Sequence, residues 1–514
     1  MRVLLLCDGG GSLGVGHVIR SLALAEAAVA AGHDVVVAGH FEGSFVQGQL
    51  AAAPVEVVQL AAPADAGPDA LLELIQRMGP DVLHVDSYHL SHWFMGTFVL
   101  SSMEDGPFGR RPADVVVDPT FGAELTPRPD DRARLLLRGS RFAPIRQRVL
   151  DARRSAKVVG TVVDPPDSQA RSVLVVMGGT DPVGLAPAAI DLLARTGLAL
   201  DVTVIAVGEN AERVRAAARG SALSVNILAP VDDLASLMSA QDLVVSAAGT
   251  SVWELCCIGV PMALIWAVDN QRDGYDRVVA AGAALGLGGP ELGQPERHGR
   301  ERAADLLTTA LTDAGVRAGL ARAGRSVVDG LGAWRVVRTW EQALRVSPAA
   351  HPGSIPLTAR LAGMDDARLL WQWRNDPVTR AGSRSSAEVT WDEHVGWLTA
   401  SLARIDRVLL VVEHALVPVG TVRWDLEGKG EWEVSITVAP QRRGQSLARP
   451  LLRAGEVALS EVESSRGTAV TAYLAVVHVD NEASVRLFES SAYVPDLPPD
   501  PRGFSRYRKV APVA

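Results

Sequence analysis

Three short stretches of this sequence combine residue types and spacings that could do chemistry. In "GSLGVGHVIRSLALAEA" (residues 11–27) a histidine, His17, follows a glycine loop that comes directly after the strand-like "MRVLLLCD". A glycine loop between strand and helix turns free backbone N–H groups and the positive helix end toward an anion, and Gly14 and Gly16 stand where that contact is made. A histidine in the first helical turn is favoured as the neutral imidazole, which can accept a proton as a general base. The same position also suits a residue that only caps the helix or binds phosphate. In "AAGTSVWELCCIGVPMALIWAVDNQ" (247–271) small residues end a strand, Thr250 and Ser251 supply hydroxyls, and Glu254 lies one turn into the next helix. Such a helix start can hold a diphosphate, while the carboxylate can accept both hydroxyls of a ribose. "MGGTDP" (177–182) offers further loop N–H groups at Gly178, Gly179 and Thr180. The third stretch, "ITVAPQRRGQSLARPLL" (436–452), sets Arg443, Gly444, Gln445 and Ser446 between an extended run and a helix.

The elements that position these residues can be read from periodicity. Up to about residue 345, β-branched or Leu-rich runs alternate with Ala-rich amphipathic stretches, the pattern of βαβ units in a parallel sheet. One set of strands is "RVLLLC", "DVVVAG", "DVLHVD", "DVVVDP" and "RLLLRG"; a second is "SVLVVMGG", "DVTVIAV", "SVNILAP", "DLVVSAAG" and "PMALIWAV". Each set opens with a strand that ends in its own glycine turn. The expectation is two Rossmann-like lobes, residues 1–160 and 161–345, joined somewhere within 147–170. The polar, proline-rich "SPAAHPGSIP" (347–356) reads as a linker, within boundaries of 346–356. Residues 357–514 have a different texture, with most of the tryptophans, a helix-like "DARLLWQWRNDP" and antiparallel-looking strands in "RVLLVVEHALVPVGTVRWDL" and "EWEVSITVAP". The fold class is therefore α/β for the two lobes, followed by an α+β domain.

Composition narrows the partners. The chain has 514 residues, a formal charge of −9 and no long Lys/Arg run, which argues against nucleic acid and toward small molecules. Cys7, Cys256 and Cys257 read as buried thiols of a reducing compartment. No stretch approaches the roughly 20 apolar residues of a membrane span, and the N-terminus lacks a signal-like apolar region, so the expected location is the cytoplasm. No residue set has metal-ligand spacing, and "HVDSYH" (84–89) reads as a strand end, so no metal is expected. The first loop is not a dinucleotide fingerprint: a third glycine would fall near Ile19, and Gly39 stands where that fold carries an acid.

The stretch 247–271 resembles the donor-site signature of GT-B enzymes that handle UDP-sugars. In order along the chain, "GVGHVIRSLALA", "VDSYHLS", "GSRFAPIR", "MGGTDP" and "SVWELCCIGVP" with "DNQ" resemble the UDP-2,4-diacetamido-2,4,6-trideoxy-altropyranose hydrolases of pseudaminic acid biosynthesis. That resemblance implies that His17 sits at the sugar end of a cleft with Asp86 and Tyr88 nearby, and that Asn270 and Gln271 reach the sugar. His17 would deprotonate a water placed behind the anomeric carbon, and the loop N–H groups with Thr250 and Ser251 would hold the departing diphosphate. The chain departs from those hydrolases at "LLLCDGGGS", where they carry an arginine–x–aspartate and a serine-rich loop, and at "DPT" (118–120), where many have a second aspartate.

The segment 436–452 resembles motif A of the GNAT acetyltransferases, which implies acetyl-CoA as cofactor, with its pyrophosphate on the loop of Arg443, Gly444, Gln445 and Ser446. Ser446 and Ala448 replace the motif's later glycines, and Pro450 sits in the first turns of the helix. "VHVDNEASVRLFESSAY" keeps the family's asparagine, Asn481, while Phe488 stands where many members have a tyrosine that protonates the departing thiolate. Water, Tyr493 or Tyr507 would then substitute. Glu433 and His394 are candidate proton routes from the amine, or else surface or core residues. "LLWQWRNDPVTR" with "WDEHVGWL" resembles the acetyltransferases that act on the 4-amino group of a UDP-linked amino sugar. There Trp371, Trp373, Trp391 and Trp397 either stack on sugar or fill the core. Together the resemblances imply a bifunctional enzyme that acetylates and hydrolyses a UDP-amino sugar. An inverting glycosyltransferase with the same donor site is the alternative, its acetyltransferase domain acting on the product or serving only as a binding module.

Overall fold

The structure, a computed structural model, describes residues 1–10, 15–63, 68–88, 90, 96–128, 133–156, 169–178, 181, 183–293, 299–346, 357–381 and 386–512. The chain forms two compact units, Met1–Glu341 and Gln342–Ala514. The 347–356 stretch read as a linker lies outside the described residues.

The first unit contains two parallel sheets. The first joins β1 (Arg2–Cys7), β2 (Asp34–Gly39), β3 (Glu56–Gln59), β4 (Val82–Asp86), β5 (Val99–Met103), β6 (Val115–Asp118) and β7 (Leu135–Arg138) in the order β3-β2-β1-β4-β5-β6-β7. The second joins β8 (Ser172–Val176), β9 (Asp201–Ile205), β10 (Ser224–Leu228), β11 (Leu243–Ala247), β12 (Met262–Ile265) and β13 (Leu285–Gly288) in the order β10-β9-β8-β11-β12-β13. Both are doubly wound, and the strand order reverses beside the first strand of each. Continuous apolar runs such as Val3–Cys7 and Val115–Val117 are buried because helices cover both faces of a parallel sheet. In open sheets of this kind a ligand crevice forms at the carboxyl ends of the strands, at the reversal point. Here those points are Cys7 and Asp86 in the first lobe, which are ladder partners, and Val176 and Ala247 in the second.

Helices tie the two lobes together. The helix Gln147–Ser155, which the sequence left without periodicity, buries Val149 and Ala152 in a cluster with Val252, Leu255 and Cys256 of the second lobe. Near the end of the unit, Trp340 is fully buried and its Nε1 donates to Ser101 Oγ on β5 at 2.9 Å. All three cysteines are buried free thiols.

The second unit is built on a mixed sheet of β14 (Thr358–Leu361), β15 (Arg407–His414), β16 (Val417–Gly428), β17 (Glu431–Val438), β18 (Ala472–His478), β19 (Val494–Leu497) and β20 (Phe504–Val510), ordered β14-β15-β16-β17-β18-β20-β19. Every pairing is antiparallel except β17 with β18, which are parallel and paired over three residues, Glu431–Glu433 against Ala472–Leu474. Beyond those rungs the two strands continue without a shared ladder. Gln342 opens this unit by donating from Nε2 to the carbonyls of Glu489 and Tyr493. No helix among the described residues is long and apolar enough to cross a membrane.

Gly39 shows why a dinucleotide acid is absent from the end of β2. A Cβ built there would lie 1.7 Å from the Cys7 carbonyl oxygen, inside the backbone of the neighbouring strand. Gly39→Ala is therefore expected to destabilise the first unit by about 3 kcal/mol or more, at or above the upper end of overpacking penalties, read as a lowered melting temperature.

Candidate functional site

The glycine loop delivers His17 as the second residue of the helix Gly16–Ala30, beside the end of β4. Its Nδ1 lies 2.6 Å from Asp86 Oδ1, and the two side chains are 12% and 1% exposed. Burial alone would raise the Asp86 carboxyl. The Arg20 guanidinium and the His17 ring outweigh it and hold the group well below the usual carboxylate range. An ionised Asp86 only accepts, so His17 Nδ1 carries the proton and Nε2 is the nitrogen left to take one. The Tyr88 ring stands edge-on to the imidazole at 4.6 Å, and its hydroxyl donates to Asp105. Burial and the Asp105 carboxylate push the Tyr88 phenol well up, which keeps it neutral.

His17, Arg20, Tyr88 and Asp105 line a cleft of about 600 Å³ whose other wall is the second lobe. Gly16 approaches Thr250 closely: a Cβ on the glycine would lie 3.4 Å from Thr250 Cγ2. Thr250 and Ser251 form the start of the helix Ser251–Ile258, with no side-chain cap bond from Thr250. Two helix N-termini therefore open into one space. Gly178 lines the cleft with φ +78°, a conformation that favours glycine. Gln271 also lines it, its Oε1 accepting the Ala267 N–H at 2.8 Å. Asn270 lies in the short turn Asp269–Gln271, and its side chain is not among the described parts. Gly14, Gly179 and Thr180 fall outside the described residues.

Glu254 reaches the cleft from the first turn of its helix, and no described residue hydrogen-bonds to its carboxylate. Burial raises its carboxyl from 4.5 to about 7, against the opposing pull of Arg146 and Arg148. Arg146 is buried and joins elements across the cleft, bonding Glu26 at 2.8 Å and Gln49 Oε1 at 2.7 Å. Gln49 in turn donates to Asp232 of the second lobe at 3.3 Å. Sequence reasoning missed Arg20, Asp105, Gln49 and Arg146. The first had a legible signal, since Arg20 is three residues after His17 and so on the same helix face.

The second unit places its candidates less uniformly. Gly444 and Ser446 both have positive φ, +77° and +54°, in an exposed loop at the start of the helix Ala448–Ser465, and nothing crowds Gly444. That open N-terminal loop fits an anion such as a pyrophosphate, with Gln445 exposed between them. The Arg443 side chain is engaged elsewhere, bonding Asp376 Oδ1 and Thr379 Oγ1 at 2.6 Å each. Asn481 is a helix cap whose Oδ1 accepts the Ser484 N–H at 3.1 Å. Glu433 is half-buried on β17, next to the point where β17 and β18 part.

The structure decides between alternatives that the sequence left open in this unit. Tyr493 is fully buried, its hydroxyl donates to Glu456 and it packs on Phe488, so it does not face a thiolate. His394 is 2% exposed and sits under Trp391 and Trp397, and burial lowers its ring below the usual histidine value, so it is a core residue. Trp373 is core, whereas Trp391 and Trp397 are exposed and Trp371 is half-buried. Among the described residues no group of three or more His, Cys, Asp or Glu could hold a metal ion.

Residues 173–288, within the second lobe, match the glycosyltransferase family 28 C-terminal domain. An uncharacterized protein of Methanocaldococcus jannaschii is 19% identical over 438 residues, 82% of this chain and 83% of that protein. That alignment is longer than either compact unit, so it takes in residues of both. The spore coat polysaccharide biosynthesis protein SpsG of Bacillus subtilis is 29% identical over 172 residues, 32% of this chain and 48% of that protein. The crystal structure of MurG from Acinetobacter baumannii aligns over 66% of this chain and 99% of that chain, with a TM-score of 0.47 at 16% identity. Spermidine N-acetyltransferase from Vibrio cholerae, solved with CoA and spermine, aligns over 30% of this chain and 95% of that one, with a TM-score of 0.26 at 20% identity.

The raised Glu254 carboxyl has a stability consequence of definite sign. Its ionised form is penalised in the fold, so the penalty is absent below about pH 4.5 and complete above about pH 7. Glu254→Gln is expected to stabilise the first unit by ~1–3 kcal/mol at about pH 8. The gain shrinks as pH falls toward 5, as paired thermal melts across that range would show.

Proposed function

We propose that the protein is a bifunctional nucleotide-sugar enzyme: the first unit hydrolyses a UDP-linked acetamido sugar at its anomeric carbon, and the second N-acetylates the sugar amine from acetyl-CoA. The observation that carries the first half is the His17–Asp86 pair facing the start of the helix Ser251–Ile258 across one cleft. The diphosphate lies on the two helix starts and the Gly178 loop, and Glu254 accepts the ribose hydroxyls. Gln271 reaches the sugar. Water attacks the anomeric carbon as its proton passes to His17 Nε2. A new C–O bond forms, and the bond to the diphosphate oxygen breaks with its electron pair leaving on UDP. Asp86 holds the ring in the required tautomer and balances the imidazolium that results. Tyr88 walls the imidazole on its cleft side.

For the second half, the support is the open loop at Gly444 and Ser446, before a helix start and beside strands that share only three rungs. That arrangement suits the pyrophosphate of acetyl-CoA, which supplies the acetyl group when bound. Glu433, at the parting of β17 and β18, is placed to take the proton of the sugar amine, directly or through water. Asn481 caps the helix that follows β18 and keeps that wall in place.

A second reading has its own support. The family 28 match of residues 173–288 favours transfer of the sugar to an acceptor instead of water. Mass spectrometry of the full chain with a UDP-4-amino-4,6-dideoxy sugar, acetyl-CoA and heavy-oxygen water separates the two. A free N-acetylated sugar with the heavy oxygen at its anomeric carbon is the expected product. Acetylated UDP-sugar that is never released in the absence of an acceptor would establish the transferase instead. His17→Ala is expected to lower UDP release by about 10²–10⁴-fold while nucleotide affinity stays within about twofold. An equal loss of affinity would make His17 a phosphate ligand.

A further inference from the structure

Arg20 makes contacts that the proposed hydrolysis leaves unexplained. It is 3% exposed and spends all three guanidinium nitrogens inside the site. Nε donates to Asp86 Oδ2 and Nη2 to Asp86 Oδ1, each at 2.6 Å, while Nη1 donates to both oxygens of Asp105 at 2.8 Å. Nη2 also lies 3.1 Å from His17 Nδ1. Both nitrogens are donors aimed at the same Asp86 oxygen, so a fixed positive charge stands against the back of the imidazole.

We propose that Arg20 is a positioning residue for the proton-accepting histidine: it locks the carboxylate that orients His17 and sets a like charge beside the ring that accepts the proton. The inference rests on the reading of His17 as the base. A bidentate guanidinium–carboxylate pair fixes a plane as well as a distance, which a lysine could not do. Asp86 is thereby unable to rotate away from Nδ1, and Nε2 stays aimed at the cleft. The charges that face the imidazole come from Arg20 on its own helix, Asp86 at the end of β4 and Asp105 after β5 through Arg20. Arg111 acts on Asp86 from behind, and Tyr88 is neutral. On the second-lobe side the uncharged Thr250 stands beside Gly16, and the carboxylates lining the cleft from that lobe include Glu254, Asp269 and Asp273. With His17 neutral the cluster of Arg20, Asp86, Asp105 and His17 carries one net negative charge, and it becomes neutral when the ring accepts a proton. Asp105 completes the device by anchoring the far side of the guanidinium, and its second partner is the Tyr88 hydroxyl.

The test uses the full chain and compares Arg20→Met, Arg20→Lys and Asp105→Asn. Arg20→Met is expected to lower kcat for UDP release about 10- to 100-fold with KM within about twofold. It should also move the acid limb of the pH–rate profile upward by about one pH unit or more, because a nearby like charge has gone. Arg20→Lys should keep the limb near its original position while recovering only part of kcat. Asp105→Asn, nearly isosteric, should move the limb downward. Nitrogen-15 spectra of histidine-labelled protein at fixed pH, with His17 assigned by His17→Gln, should show Nδ1 protonated in the wild type and a mixture of tautomers in Arg20→Met. A folded Arg20→Met protein with the wild-type limb and tautomer, changed only in melting temperature, would overturn the proposal. Wild-type protein that releases no UDP would defeat the hydrolase reading alone, since the nitrogen spectra still report on the clamp. If Arg20→Met does not fold, the unmoved limb of Arg20→Lys and the downward shift of Asp105→Asn decide, and no shift in Asp105→Asn overturns it.

Discussion

A buried carboxylate at the end of β4 is the constraint around which the first unit is arranged. Asp86 is 1% exposed, and an ionised group so deeply placed survives only if both oxygens are met by charged or ring donors. Those donors come from one face of one helix, His17 and Arg20, three residues apart. The helix presents both because it begins at Gly16, one residue before His17. β1 and β4 are neighbours in the sheet, so the strand order and the place of the histidine follow from the same requirement. Leaving Asp86 unpaired would typically cost about 3–5 kcal/mol, a large share of any domain's stability.

Much of this was legible in the sequence, and the gaps have physical causes. β1, β2, β4 and β6 read as apolar runs because both faces are covered, and the edge strand β7 reads as one although Leu136 is exposed. β5 did not, because "VLSSM" places two serines in a buried strand. Ser101 is tolerated there since Trp340 Nε1 and His84 Nδ1, from elements far away in sequence, meet its hydroxyl. β3 is a four-residue edge, and "LGLG" of β13 carries glycines because neighbouring side chains fill the space. A Cβ at Gly286 would lie 2.6 Å from the Tyr275 hydroxyl. In the site, His17, Thr250 and Glu254 stood out by type and position, and Asp86 entered only through the family resemblance. Asp105 did neither, since it follows the strand that went unread.

The second unit shows how far aromatic spacing carries. Trp373, Trp424 and Trp432 fill its interior, while Trp391 and Trp397 stay partly in solvent on either side of the buried His394. A single rule for tryptophans, all stacking or all core, would have failed either way. Tyr493 could not be placed by sequence either. It shares Glu456 with Lys509, whose Nζ donates to the other carboxylate oxygen at 2.7 Å, and that buried trio exists only in three dimensions.

The approach of Gly16 to Thr250 has an electrostatic consequence for how the cleft opens and shuts. Each helix start carries roughly half a positive charge. With no anion between them, the two ends repel weakly, by an amount comparable to thermal energy when they stand a few ångströms apart. A diphosphate carrying two negative charges turns that repulsion into a bridge that draws both lobes inward. On the proposed reading, departure of the nucleotide removes the bridge and the same two helix ends push apart. The leaving group would then also be the fastener of the cleft, and its exit what undoes it.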